Sequence, residues 1–278
     1  MTTAPQPERR RCEDWWETSI IEMRPGVIRY RGYPIEELIG RVSFPAMIWL
    51  MLRGELPSEA QAELLGAALV AAVDHGPQAP SIAIARMAAT CGVGINNAMA
   101  SAINVLGDVH GGAGEQCVAF YQAVAARADG GAPLEAAVEA EIAALAAAGV
   151  RYVPGFGHRF HPVDPRAPRL LEIVEAAAAE GVVPGRFTGI GRAVEVRLAL
   201  RKGRAVPMNI DGATAVIYAE LGFPPPLCRG LFVLSRSVGI LAHAWEQMEQ
   251  GGRNKGPIPR DYLWSYRGPG VRPLEPAD

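Results

Sequence analysis

The chain has 278 residues, 49% of them apolar, which is enough for one substantial core in one domain or in two closely joined lobes. Its 27 basic and 29 acidic residues leave a net charge of -2, so no global field draws it to nucleic acid or to an anionic membrane surface. Cys12, Cys91, Cys117 and Cys228 are scattered without CxxC spacing, which predicts ordinary buried thiols in a reducing cytoplasm rather than a metal site or a disulfide framework.

In chain order, Met1 to Asp14 is polar and Pro-rich, with Arg9-Arg10-Arg11 and no apolar run behind it. That pattern reads as a loose arm, not as a signal or an anchor. Gly26 to Gly32 alternates between two glycines and predicts a short hairpin strand. Elsewhere apolar residues recur at three and four, so the fold is expected to be all-α. Pro34 to Gly40 and Phe44 to Leu52 open the helical series. Ser58 with Gln61 three residues on resembles a capping box that starts a helix running to about Asp74. Further helices are expected at 81–91, 94–106, 112–128, 133–148, 165–180, 187–201, 211–221 and 226–249, the last being the most apolar. The longest charge-free apolar stretches, such as Leu64 to Val73, fall short of the roughly 20 residues that cross a bilayer, so no membrane span is expected. The tryptophans, Trp15, Trp16, Trp49, Trp245 and Trp264, are expected to pack a core or a subunit contact.

The breaks between helices carry the ionisable residues. His75-Gly76, His110-Gly111-Gly112, Gly157-His158 and Asp211-Gly212 all sit where a helix starts or stops and leaves backbone groups free for ligands. His110 beside a glycine pair at a helix N-terminus favours the neutral ring, which can donate a hydrogen bond to a carbonyl; capping a tight turn is the plainer role. His158 follows Gly155-Phe156-Gly157, a loop able to wrap a flat or phosphorylated group, and precedes Arg159, His161 and Asp164-Pro165-Arg166. Asp211 is a base or an N-cap, the latter worth about 1 kcal/mol. His75 ends its helix or binds a ligand. Arg236 lies in so apolar a stretch that it needs a buried partner, structural or a substrate carboxylate. Two imidazoles and a carboxylate are the tools for removing a proton from carbon beside a carbonyl. No P-loop, no dinucleotide fingerprint and no HExxH is present.

Six segments, in order, resemble the citrate synthase superfamily: Arg31 to Leu38, Val109-His110-Gly111-Gly112-Ala113, Gly155-Phe156-Gly157-His158-Arg159, Asp164-Pro165-Arg166, Asn209-Ile210-Asp211 and Arg236 to Gln247. The resemblance covers about residues 28 to 267. It implies an all-α homodimer whose large domain, 1–111 and 216–278, and small domain, 112–215, close over the substrate. It implies Asp211 as the base toward the acetyl-CoA methyl, His110 as the hydrogen-bond donor to the thioester oxygen, and His158 as the group addressing the oxaloacetate carbonyl. His75 would be a second oxaloacetate-binding histidine. Arg166 and Arg236 would hold substrate carboxylates. Val153, Pro154, Gly155, Phe156 and Gly157 with Arg159 would contact CoA. The CoA thioester is substrate, and no permanently bound cofactor or metal is implied.

The chain departs from the family in being far shorter, especially between Arg31 and His75, and in a tighter spacing from His158 to Arg166. Ile258-Pro259 stands where the family has an Arg-Pro that reaches the partner subunit, leaving Arg260 and Arg267 as replacement candidates. Gly212 replaces the usual aromatic residue, and Asn-Ile-Asp-Gly looks more like the citryl-CoA lyase module, including that of ATP-citrate lyase. Citryl-CoA cleavage to acetyl-CoA and oxaloacetate is therefore the expected activity. The rivals are citrate or 2-methylcitrate synthase, and a catalytically silent CoA-binding regulatory or scaffold subunit.

Overall fold

The computed structural model describes residues 15–259 and 261–274. The expected N-terminal arm, Cys12 and Arg260 lie outside the described residues. Three short strands, β1 (Ile21–Arg24), β2 (Val27–Tyr30) and β3 (Tyr33–Pro34), form an antiparallel sheet in that order, with Arg24 opposite Val27 and Arg29 opposite Pro34. The alternation in 26–32 predicts only β2. The β1–β2 turn is possible because Gly26 adopts φ +77°.

Eleven helices follow among the described residues. They are α1 (Ile35–Leu38), α2 (Phe44–Arg53), α3 (Glu59–Ala71), α4 (Pro80–Ala89), α5 (Ile95–Ile103), α6 (Ala113–Asp129), α7 (Leu134–Ala147), α8 (Arg166–Ala179), α9 (Arg186–Lys202), α10 (Ile210–Glu220) and α11 (Pro225–Glu249). Ser58 and Gln61 form the expected capping box at α3, each side chain accepting from the other's backbone N–H.

The chain divides into two compact units. The first comprises the residues through Val73 and Gly107–Arg236; the second comprises Asp74–Leu106 and the residues from Ser237 onward. In the first, α10 packs against α3, α6, α8 and α9, and every residue from Gly212 to Glu220 is buried. A helix apolar on all sides belongs at the centre of a bundle. Around it lie Trp49, Leu64, Leu65, Val118, Val174 and Val194. In the second unit, Ile82 and Ala85 of α4 and Ala98 and Ala102 of α5 enclose Ile240 and Ala244 of α11.

Helix α11 corrects one expectation. It is long and apolar enough, by length and composition, to cross a membrane. A search for charge-free runs passes it over because Arg229 and Arg236 interrupt it. Leu231, Ile240 and Ala244 are buried within the protein, so part of this apolarity serves packing. One further expectation changes: Cys91 is exposed whereas Cys117 and Cys228 are buried. Of the five tryptophans, Trp49 is the one buried in the core. Trp15, Trp16, Trp245 and Trp264 are exposed.

Candidate active site

Asp211 stands in the first turn of α10, and Asn209 takes the capping role that the sequence leaves open for Asp211. The Asn209 Oδ1 accepts from the N–H groups of Asp211 at 2.9 Å and Gly212 at 3.2 Å, so the aspartate carboxylate is not committed to the helix end. Burial pushes the Asp211 carboxyl above its ordinary range. Arg236 and Arg166 pull it back, and the nearby Asp164 adds to the rise.

Asn209 also builds the neighbouring loop. Its Nδ2 donates to the Gly157 carbonyl at 2.7 Å, and its backbone N–H donates to the Gly155 carbonyl at 2.9 Å. Gly157 N–H donates to Pro207 at 2.7 Å, Phe156 pairs antiparallel with Met208, and Met208 N–H donates to Glu195 Oε1 at 2.7 Å. The Val153 to Gly157 segment is thereby stitched onto the approach to α10. The crossing is close because both chains use glycine. At Gly155, where φ is +84°, a Cβ would lie 2.6 Å from Cys117 Sγ and 2.7 Å from Gly212 Cα. A Cβ on Gly212 would strike the Gly155 carbonyl and Met208. Gly212 thus has a packing cause in addition to its value as a resemblance.

His158 leaves this loop with its ring fixed. Its Nδ1 accepts from Phe160 N–H at 3.0 Å and His161 N–H at 3.1 Å, so the neutral ring carries its proton on Nε2 and can donate there. Burial lowers its pKa; Asp164 opposes this, and His161, Arg166 and Arg159 reinforce it. His110 is likewise held toward the neutral form, by burial and then by Arg236. Its loop closes through a 2.8 Å bond from Gly107 N–H to the His110 carbonyl. Arg229 of α11 braces it by pairing with Asp108 at 2.5 Å and with Glu115.

Arg236 is 5% exposed, its Nε donates to the Ala72 carbonyl at 3.1 Å, and its guanidinium lies 4.8 Å from the centroid of the Phe232 ring. The buried partner demanded by its sequence setting is therefore partly backbone and partly a ring face. Arg166 forks onto Asp164, Nε to Oδ1 at 2.9 Å and Nη2 to Oδ2 at 2.8 Å. Asp164, 1% exposed, also accepts from the N–H groups of Arg166 at 3.1 Å and Ile210 at 3.0 Å. Burial pushes this carboxyl up, but the Arg166 bonds and charge and the Ile210 amide outweigh it and bring it to about 2. A substrate carboxylate at Arg166 would share the guanidinium with Asp164.

Asp211, His110, His158, Arg166 and Arg236 thus lie in one unit, where the Arg236 charge acts on Asp211 and His110 and the Arg166 charge acts on Asp211 and His158. Arg159 is exposed beside His158. His75 belongs to the other unit and is exposed, in a turn where Asp74 Oδ2 accepts from Gly76 N–H at 3.0 Å. Arg267 is exposed near the C-terminus. Sequence reasoning passed over Asp164, Asn209 and Glu195. The first two sit inside recognised motifs; their bonds to Asp211, Gly212 and Arg166 are local, whereas those to Gly155, Gly157 and Ile210 depend on three-dimensional crossings that spacing does not encode. Among the described residues, no group of three or more His, Cys, Asp or Glu could hold a metal ion.

Comparison with known proteins bears on this arrangement. The family described as citrate synthase, C-terminal domain, matches over residues 13–66 and 58–260. The citrate synthase of Haloferax volcanii is 33% identical over 202 residues, covering 72% of this chain and 50% of that protein. That of Acidithiobacillus ferridurans is 28% identical over 74% of this chain and 52% of its own length. The chain spans about half the length of these relatives. The structure of citryl-CoA lyase from Hydrogenobacter thermophilus superposes with a TM-score of 0.82 at 30% identity, over 94% of this chain and 97% of that one. The citrate synthase of Thermoplasma acidophilum, in a ternary complex with carboxymethyl coenzyme A and oxaloacetate, gives 0.67 at 25% identity over 84% and 59%. On these matches and the motifs they span, the chain belongs to the citrate synthase family.

Proposed function

We propose that the protein cleaves citryl-CoA to acetyl-CoA and oxaloacetate. The observation that carries this reading is that Asp211 feels the charges of both Arg166 and Arg236, of which Arg166 also acts on His158 and Arg236 on His110. The near full-length likeness to a citryl-CoA lyase supports the direction. In the cleavage, the substrate hydroxyl releases its proton to water while the His158 Nε2–H donates a hydrogen bond to the ketone oxygen that forms, and the carbon-carbon bond breaks with its electron pair moving into the thioester. His110 donates a hydrogen bond to the resulting enolate oxygen, and Asp211 delivers a proton to the methylene carbon. A carboxyl raised by burial suits the last step, because it keeps its proton at higher pH than an exposed aspartate does. Arg166 and Arg236 hold the carboxylates of the keto-diacid half. The Val153 to Gly157 loop and Arg159 receive CoA, with neither a metal nor a resident cofactor taking part. A homodimer is part of the proposal.

Citrate synthesis is the second reading, favoured by the identity to the haloarchaeal citrate synthase. It needs water to hydrolyse the thioester after the same carbon-carbon step is run in reverse. The test is to follow oxaloacetate release from citryl-CoA by coupled NADH oxidation, alongside thiol release from acetyl-CoA plus oxaloacetate. Thiol release without citryl-CoA cleavage would reject the lyase reading, and silence in both assays would favour a CoA-binding scaffold.

A further inference from the structure

Helix α10 is apolar on almost every side, and its polar exceptions are ordered. Asp211, Thr214 and Tyr218 are spaced three and four residues apart, so they fall on one face, while Glu220, on another, holds the N-terminus of α9. All three belong to the first unit, and Thr214 and Tyr218 are buried in it, Tyr218 to 2% exposure. A polar stripe thus runs from Asp211 inward along the central helix. The chemistry proposed above gives no task to its two inner members.

Each member of the stripe has a different hydrogen-bonding capacity left. Thr214 Oγ1 lies 2.8 Å from the Ile210 carbonyl and 3.2 Å from that of Asp211, so its proton is spent on backbone and its lone pairs remain for a donor. The Tyr218 hydroxyl meets no hydrogen-bond partner among the described residues, although a buried phenol ordinarily finds one. Its ring is held edge-on by Phe223, with 6.4 Å between centroids and 86° between planes. Long side chains on a helix lean back toward its N-terminus, which brings the hydroxyl toward Asp211, two turns or about 10 Å up the axis. Burial, the Cys228 thiol and then the Asp211 charge push the phenol up, so the carboxylate reaches this hydroxyl through space without bonding to it. A carboxylate, a hydroxyl with lone pairs to spare and a phenol with an unused proton are the three polar partners that one internal water needs.

We propose that Thr214 and Tyr218 hold one internal water against Asp211, with Tyr218 as a positioning residue. The phenol donates to the water, and the water donates to Thr214 Oγ1 and to the carboxylate, which fixes the orientation of that carboxylate. The bridge stands on the stripe alone, whereas its catalytic consequence rests on the reading of Asp211 as the proton donor in cleavage.

The test compares the wild-type full chain with Tyr218→Phe, which keeps the ring and removes the hydroxyl. Carbon-13 NMR of the side-chain carboxyls reads the Asp211 titration directly. Losing a donor disfavours the charged form, so its pKa is expected to rise by about one unit in the variant. Around Asp211 and Tyr218, Cys117 and Tyr121 of α6, Asp164 and Arg166 at the start of α8, Glu195 of α9, and Cys228 and Arg236 of α11 are all retained, and Glu59 and Glu63 of α3 are exposed; the displacement therefore belongs to the hydroxyl. The melting temperature is expected to fall by about 3 °C, and by less than about half of that when the same change is made in Asp211→Ala. Thr214→Val should move the Asp211 titration upward as well and Thr214→Ser should not, a comparison that stays informative if the phenylalanine variant is unstable. An orphan hydroxyl predicts the reverse: Tyr218→Phe would melt above the wild type or leave the Asp211 titration in place, and either result overturns the proposal. In citryl-CoA cleavage the alkaline limb of the kcat profile should move up with the titration. A titration that moves in a protein that cleaves no citryl-CoA would sink the catalytic consequence and leave the bridge standing.

Discussion

Asp211 occupies the position where a helix-capping residue and a catalytic base look alike in sequence, and the two roles predict opposite outcomes for its removal. Because Asn209 supplies the cap, Asp211→Ala deletes no helix-end hydrogen bond. It also removes a carboxylate whose ionised form is disfavoured by burial. The expected result is a melting temperature equal to or above that of the wild type, with citryl-CoA cleavage reduced at least about two orders of magnitude, the usual contribution of a positioned acid or base. Thermal denaturation and the coupled assay on the same preparation check both halves. Asp164 behaves in the opposite sense. Its folded-state pKa of about 2 lies below the unfolded value, so its contribution is complete above about pH 4 and is lost as the pH falls toward about 2. Asp164→Asn should therefore lower the melting temperature at pH 7 and flatten the fall between about pH 4 and about pH 2. An unchanged acid limb would remove the Arg166 pairing as its cause.

At the scale of elements, the Gly155–Gly212 crossing ties the expected CoA loop to the start of α10. Gly155→Ala must accommodate both a positive φ and a Cβ inside contact distance of Cys117 and Gly212, so a loss of about 3 kcal/mol in denaturant unfolding is expected, with CoA affinity falling alongside. The N-terminus of α9 is held remotely. Glu220, at the end of α10, accepts from the N–H groups of Gly185 at 2.9 Å, Phe187 at 2.5 Å and Thr188 at 3.2 Å. Glu220→Ala should cost about 2 kcal/mol, measured the same way, since one buried and two half-buried amides lose their acceptor. These two devices mark the limit of what sequence could show. The helices, the Ser58 capping box and the five ionisable residues gathered in the first unit follow from local periodicity, turn chemistry and motif order. The bonds of Asn209 to Gly157, of Asp164 to Ile210 and of Glu220 to Gly185, Phe187 and Thr188 join residues far apart in the chain, and no local pattern announces them. Strand β1 was missed because Ile21-Glu22-Met23-Arg24 offers too short an alternation, and it gains its partner only once β2 exists.

At the scale of the molecule, α11 contributes residues to both units and carries an apolar stripe that stays about half exposed. Leu234, Val238, Leu241 and Trp245 recur at four, three and four residues and are 47%, 58%, 43% and 55% exposed. Toward its first turns, Leu52, Pro226, Leu227 and Leu231 line an open cavity of about 460 Å³. Apolar side chains at coiled-coil spacing on one helix gain little from water and much from a second apolar helix face, which suits a self-complementary contact about a two-fold axis. The proposed homodimer therefore makes a direct prediction. Wild-type protein should sediment at twice the mass of the 29.6 kDa chain, and Leu241→Asp with Trp245→Ala should sediment as the single chain. Both side chains are exposed, so the double variant should keep its helical circular dichroism, and the loss of assembly can then be assigned to the stripe. A wild-type monomer at micromolar concentration, or a double variant that still pairs, would show that this face of α11 is not where two copies meet.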